Sequence, residues 1–339
     1  MTAGRSVSLV VLLLAGAAPT AASDVLLAPQ IARPGDAVLV RLRVPREGPE
    51  PTATLAGRPL HFWPHGEERW AVAALPLETP PGPVRLEVAA AAPGEASATT
   101  LEVVEPGFPS RALHVAPRFV SPPARVKARI ARDRRAFAAA YARPFSAPLF
   151  SGNFDWPRRA RTNGRFGDQR VFNGKKESVH YGLDIDGPRG APIHAANDGE
   201  VVLARDCYYS GNTVVVWHGA DLFTLYFHLD RIDVGAGTKV RRGDRLGVIG
   251  STGRSTGPHL HWSARAAGLL VDPESLLGID FGTGSAPARH AGPPPAEPRE
   301  EPPAPAVPPE TAPAAPPATI TPAGVAPQAP GASPSAPSR

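Results

Sequence analysis

The sequence predicts a mainly β protein, on three observations. Its apolar stretches are short and largely alternate with period two, glycine and proline (33 and 43 of 339 residues) punctuate them with turns, and only one segment keeps helical spacing. An all-α fold does not fit this pattern. A proline content so far above ordinary globular usage also means that part of the chain lies outside any core.

Residues 1–23 read as a secretory signal peptide: Arg5 opens it, Val7 to Ala18 form an apolar run, and small residues around Ala21 to Ser23 suit a peptidase cut. The run is short for a bilayer span and no other segment is long and apolar enough, so no stable membrane insertion is expected after cleavage. The single cysteine, Cys207, lies deep in the chain. That position excludes a lipid anchor at the cleavage point and any intramolecular disulfide, and Cys207 reads as a small, buried apolar residue.

From 24 to 105 the runs Val38 to Val44 and Val84 to Val88 follow the turns Pro34-Gly35-Asp36 and Pro80-Pro81-Gly82, as strands of a β-sandwich-like module would. His61, His65, Trp63 and Trp70 read there as packing or surface residues. Residues 106–149 form a connector with one helix, starting near Pro122 or Pro123 and ending before Pro144. Val126, Ile130, Phe137 and Tyr141 share a face of that helix and six basic residues surround it, as in a solvated helix packed across a domain boundary or one gripping an anionic polymer. Strand patterns return over 150–281, in Gly199 to Leu203, Thr213 to Trp217 and Leu222 to His228. Residues 282–339 are Pro/Ala-rich and lack large apolar side chains, so that tail is expected to be disordered.

The net charge is +5, with many basic residues between Arg111 and Arg189. An acidic polymer suits this balance better than nucleic acid, for which a chain marked for export carries no binding motif.

Six of the ten histidines lie between His180 and His261. In His259-Leu260-His261 the two imidazoles project from one face of a strand and can address one site. His180 and Asp184, four apart, offer a nitrogen and an oxygen to the same side, and Gly182 between them favours an extended or bent segment. Three protein ligands with a position left for water is the arrangement of a catalytic rather than a structural zinc. His218 and His194 read as packing or turn residues.

The segments His180-Tyr181-Gly182-Leu183-Asp184, Tyr226-Phe227-His228-Leu229, Gly250-Ser251-Thr252-Gly253 and Thr256-Gly257-Pro258-His259-Leu260-His261 resemble, in order, the motifs of the lysostaphin-type (LytM-like) zinc endopeptidases. The resemblance covers about Phe150 to Asp280. It implies zinc held by His180, Asp184 and His261, with His228 and His259 as catalytic residues. One of these two would deprotonate the zinc-activated water and the other would stabilise the tetrahedral intermediate. It also implies an antiparallel β catalytic domain with a groove, and an exported zinc metallo-endopeptidase, periplasmic or secreted, that hydrolyses peptide bonds in the crosslinks or stem peptides of bacterial peptidoglycan. Phe166 to Gly174 resembles the loop before the first ligand, where Arg170 or Asn173 touches substrate or the run is a structural turn. Degenerate relatives that act as regulators lack ligands; this chain keeps all three and both auxiliary histidines.

Overall fold

Strands dominate the computed structural model, which describes residues 25–43, 50–89 and 97–282. The leader expected over 1–23 and, Gly282 apart, the tail expected over 282–339 lie outside these residues. No helix among the described residues is long and apolar enough to cross a membrane.

The first strands build two sheets. One has the order Val25–Ala28, Ala37–Arg43, Glu68–Ala74, Trp63–His65, all antiparallel. The other has the order Ile31–Ala32, Ser97–Val103, Gly82–Val88, Ala53–Leu55, Arg58–Pro59, with its first pair parallel. Alternation sends Val38, Val40, Leu42, Ala71, Ala73 and Leu75 into a core with Leu55, Leu86 and Leu101 of the second sheet. The odd partners do not meet solvent. Ala37, Leu39, Trp70, Val72 and Ala74 join the core of the large sheet described next, so the first sheet is buried on both faces. Polar contacts follow the same seam: Arg58 donates to the Ala267 carbonyl at 3.0 Å, and the Ala37 amide donates to Ser275 Oγ at 2.9 Å.

The large sheet has ten strands. Its central path is Thr162–Gly164, Leu183–Asp186, His259–Ala266, Leu222–Ile232, Gly211–Trp217, Gly199–Cys207 and Lys239–Val240, antiparallel throughout. Its two faces have different fates. Leu183, Ile185, Leu260, Trp262, Ala264, Val214, Val216 and Tyr226 form the main core on one side. On the other, Asp184 lies opposite His261, His261 opposite Phe227, and Ser263 opposite Leu225, which puts polar and apolar residues along one surface.

The helix Lys127–Tyr141, after a 3-10 turn at Ala124–Val126, covers the apolar part of that second surface. Its Ala140, with Ala136, Phe137 and Tyr141, packs on Leu203, Val215, Phe223 and Leu225. The one acidic residue of the helix, Asp133, is also turned inward, where it accepts from the Tyr208 amide at 2.8 Å and pairs with Arg205 at 3.3 Å. Arg125, Lys127, Arg132, Arg134 and Arg135 remain exposed.

The connector contains more than the single helix its spacing predicts. Ser110–Leu113 is a strand parallel to Gln169–Phe172, and Pro117–Val120 is a short helical turn. Four residues without strong alternation give no local signal, because this pairing is made by a partner about 60 residues away.

Candidate metal centre

His259–Ala266 is a regular strand, so His259, His261 and Ser263 line one face, and its register with Leu183–Asp186 sets Asp184 directly beside His261. His180 ends the segment just before. Its Nε2 lies 3.0 Å from Asp184 Oδ1 and 2.9 Å from His261 Nδ1, and His261 Nδ1 is 2.9 Å from the same carboxylate oxygen. Among the described residues these three form the group able to hold a metal ion.

His228 reaches the same face by a different route. Strict alternation would turn it away from Phe227. The register between Gly211–Trp217 and Leu222–Ile232 shifts between Asn212 and Val214, so one extra residue bulges here, and His228 adopts φ 65°. The ring then lies 5.0 Å from His259 and 5.9 Å from His261, between centroids. A left-handed histidine is costly backbone that persists only where the surroundings impose it.

The outer nitrogen of each imidazole is fixed. His180 Nδ1 meets the Arg165 carbonyl at 2.7 Å, His228 Nδ1 the Thr252 carbonyl at 2.8 Å, and His259 Nδ1 the Gly257 carbonyl at 2.8 Å. A carbonyl only accepts, so each of these nitrogens carries the proton. His261 Nε2 meets Ser263 Oγ at 2.8 Å, and that hydroxyl already donates to the Tyr181 carbonyl at 2.5 Å, so here too the ring donates. While both rings are neutral, His180 Nε2, His261 Nδ1 and Asp184 Oδ1 therefore meet as three acceptors with no proton of their own among them. Such a cluster is repulsive until a cation occupies its centre. Two imidazoles and a carboxylate are a donor set that suits zinc, and tetrahedral ligands about 2.0–2.1 Å from zinc would be about 3.3 Å apart.

The remaining carboxylate oxygen, Asp184 Oδ2, receives Arg170 Nη2 at 2.6 Å. The sequence suggested Arg170 or Asn173 for substrate. Arg170 grips the Asp184 carboxylate, while Asn173 bonds both ways to the Val115 backbone, at 2.9 and 2.8 Å, tying the connector to its hairpin as a structural turn would. Space around the carboxylate is tight. A Cβ on Gly164 would come 2.6 Å from Arg170 Nη2 and 2.7 Å from Asp184 Oδ2; one on Gly182 would come 2.8 Å from His261 Nε2.

Electrostatics follow from burial and proximity. Burial raises the Asp184 carboxyl, but His180, His259 and His261, in the forms that carry a proton toward it, outweigh burial and hold the group well below the usual carboxylate range. Burial lowers His261 to about 4. Burial, then the neighbouring His259 and His261, push His228 well down. Burial also works to lower His259, but the Asp184 carboxylate overcomes it and the net shift is upward.

Ser263, Phe227 and Thr252 were not singled out from sequence. Ser263 continues the His259-x-His261 alternation by one step, and that parity was the available signal. Phe227 stacks on His261 at 5.3 Å and meets Phe137 edge-on at 6.0 Å, linking the centre to the covering helix. Of the residues read as structural, Cys207 is buried. His61 pairs with Asp221 at 2.6 Å, and His65 stacks on Trp70 at 3.7 Å.

His218 lies in the core. Its Nδ1 donates to the Asp198 carbonyl at 2.6 Å, and its Nε2 meets Thr224 Oγ1 at 2.8 Å, which continues to Tyr226 Oη at 2.9 Å. Burial lowers it to about 4. Below pH 6.5 the unfolded chain takes up a proton that the folded chain refuses, so this contribution to stability is lost as pH falls from about 6.5 to about 4, by roughly 3 kcal/mol. In chelator, urea midpoints of the unsubstituted chain are expected to fall more steeply across that window than those of His218→Gln. Parallel curves would contradict the assignment.

Comparison with known proteins gives a consistent family. Residues 178–273 match the model of Peptidase family M23. The peptidoglycan DD-endopeptidase ShyA of Vibrio cholerae serotype O1 is 46% identical over 98 residues, 29% of this chain and 23% of that protein. The DD-carboxypeptidase/endopeptidase Mpg of Neisseria meningitidis serogroup B is 42% identical over 98 residues, with the same coverage of 29% and 23%. The chain thus spans less than a quarter of the length of either curated relative. A solved structure of a putative peptidase M23 from Pseudomonas aeruginosa is 34% identical with a TM-score of 0.53, covering 72% of this chain and 94% of that one. With such identity over nearly the whole of a solved relative, and the family's model matched across the histidine cluster, the chain belongs to peptidase family M23.

Proposed function

We propose that this protein is an exported zinc metallo-endopeptidase that hydrolyses peptide bonds of bacterial peptidoglycan, with zinc held by His180, Asp184 and His261 and with His228 and His259 as the catalytic pair. The observation that carries the reading is the meeting of His180 Nε2, His261 Nδ1 and Asp184 Oδ1 within 3.0 Å of one another, beside two further imidazoles whose Nδ1 is committed to a loop carbonyl. The relative named as a peptidoglycan DD-endopeptidase supplies the substrate class.

Zinc bound there would supply Lewis acidity, polarising the scissile carbonyl and making water nucleophilic near neutral pH. The chain's own residues handle the protons. His228 and His259 each commit Nδ1–H to a loop carbonyl and leave Nε2 as an acceptor, so each in its neutral form can only take a proton. The one that accepts a proton from water thereby becomes a donor for the developing oxyanion or the leaving amine. Carbonyls of Thr252 and Gly257 keep both rings aimed through the cycle.

Periplasmic or secreted localisation follows from the leader and from the target polymer, with no stable membrane insertion once the leader is removed. The test is digestion of purified sacculi by the zinc-loaded protein, followed by mass spectrometry of the soluble products. New peptide termini are expected. Release of glycan fragments with intact peptides would assign a different enzyme class.

A further inference from the structure

The loop Ser251 to Pro258 carries both carbonyls that orient the flanking histidines, Thr252 on His228 and Gly257 on His259. Arg254 lies between these two anchors. The loop is held hard: the Arg254 amide donates to the Tyr209 carbonyl at 2.7 Å, and Thr252 Oγ1 donates to the Leu229 carbonyl at 2.8 Å. Gly253 has φ 72°, and a Cβ there would come 2.4 Å from the Gly211 amide nitrogen.

The Arg254 guanidinium lies over two rings, Phe172 at 4.6 Å and Tyr209 at 5.3 Å. Ring contact of this kind engages the flat face of the guanidinium and leaves its N–H edges for something else. Among the described residues no carboxylate pairs with it and no acceptor takes its side-chain hydrogen bonds. Other arginines of this region have such a partner: Arg170 on Asp184 at 2.6 Å, Arg111 on Asp168 at 3.1 Å, Arg189 on Asp230. Phe172 and Arg170 are two apart on one strand and so share a face, which brings Arg254 to the same side of the hairpin as the Asp184 clamp. Burial works against Arg254 as a cation, Tyr209 offsets part of that, and the nearby Arg170 charge adds to it, so the net shift is downward. A half-buried cation kept without a counter-ion beside a catalytic centre calls for an anion from outside, and a planar fork of donors matches a carboxylate.

We propose that Arg254 is the carboxylate-recognition residue of this site, receiving in two-pronged fashion a free carboxylate that the peptide substrate carries near its scissile bond. The proposal rests on the peptidase reading and names the chemistry that reading leaves open. It makes the enzyme selective for acidic over amidated peptides.

The test uses the full-length zinc-loaded chain and two stem-type peptides with blocked termini, alike except for one side-chain carboxylate or its carboxamide, and with the scissile amide reduced so that nothing is cut. Calorimetry is expected to show the acid bound roughly 10–100-fold more tightly than the amide. In R254Q, with zinc content as in the unsubstituted chain, that ratio should fall to near one. Equal affinities in the unsubstituted chain, or a ratio that R254Q leaves intact, would overturn the proposal. If R254Q loses its zinc, R254K carries the test: it keeps the charge without the fork, and a ratio as large as that of the unsubstituted chain would equally overturn it. Parallel assays with the unreduced peptides separate the two ideas, because selective binding with no cleavage would remove the peptidase reading and leave the carboxylate site standing.

Discussion

Asp184→Ala is expected to abolish zinc uptake at micromolar metal, with affinity falling by on the order of 1,000-fold or more, whereas Arg170→Ala should weaken it by about 10–100-fold. The difference follows from what each oxygen does. Oδ1 of Asp184 faces His180 and His261 at 3.0 and 2.9 Å and is one of the three donors proposed for the metal. Oδ2 receives Arg170, which fixes the carboxylate's rotation without touching the metal position. Removing the carboxylate deletes a ligand and also strands Arg170, whose side chain is only 13% exposed, without its counter-charge. Loss of one member of a buried pair costs about 3–5 kcal/mol. Asp184→Ala should therefore melt lower even in chelator. Competition against a chromophoric chelator measures the first effect and urea denaturation in chelator the second. Arg170→Ala with unchanged zinc affinity would mean that the clamp has no hold on ligand geometry.

Much of this centre was legible because strand geometry is simple arithmetic. A His-x-His pair shares a face on any regular strand, and its continuation to Ser263 follows the same rule. His228 was not legible in that way. It reaches the site only because a bulge adds one residue and breaks the alternation after Phe227, which no local pattern in Tyr226-Phe227-His228-Leu229 announces. Its assignment came from family resemblance alone. Arg170 was noticed as a candidate substrate contact, and nothing in the run Phe166 to Gly174 announces that its guanidinium folds back onto Asp184.

The N-terminal strands hold a similar lesson. Val38 to Leu42 reads as a half-buried strand with one solvent face, yet Leu39 is as buried as Val40, because the face that alternation leaves over is covered by the large sheet. The unbroken apolar run from Trp70 to Leu75 carried that information, as two-sided burial removes the polar half of the pattern. The helix Lys127–Tyr141 was readable in position but not in consequence. Its aromatic residues rest on the sheet face that also bears the candidate metal centre, and Phe137 touches Phe227, which stacks on His261.

His259→Ala should separate chemistry from metal binding. The ring is no part of the acceptor trio: its Nε2 stands 3.5 Å from Asp184 Oδ1, and its Nδ1 is committed to the Gly257 carbonyl. Zinc content is therefore expected to stay near one per chain, while kcat on sacculi drops by roughly 100–10,000-fold, the range for losing a positioned proton-transfer group. KM should change little, since the carboxylate contact proposed for the substrate is made by Arg254 and not by this ring. His228→Ala should give the same signature by the same logic, because its Nδ1–H is likewise committed to a loop carbonyl and its Nε2 faces the cluster. Because each ring, once protonated, can serve as the donor for the other's step, the double variant should fall by less than the product of the single losses. A variant at His259 that lost zinc in proportion to activity would make this residue a ligand, and would leave His228 as the one candidate for proton transfer.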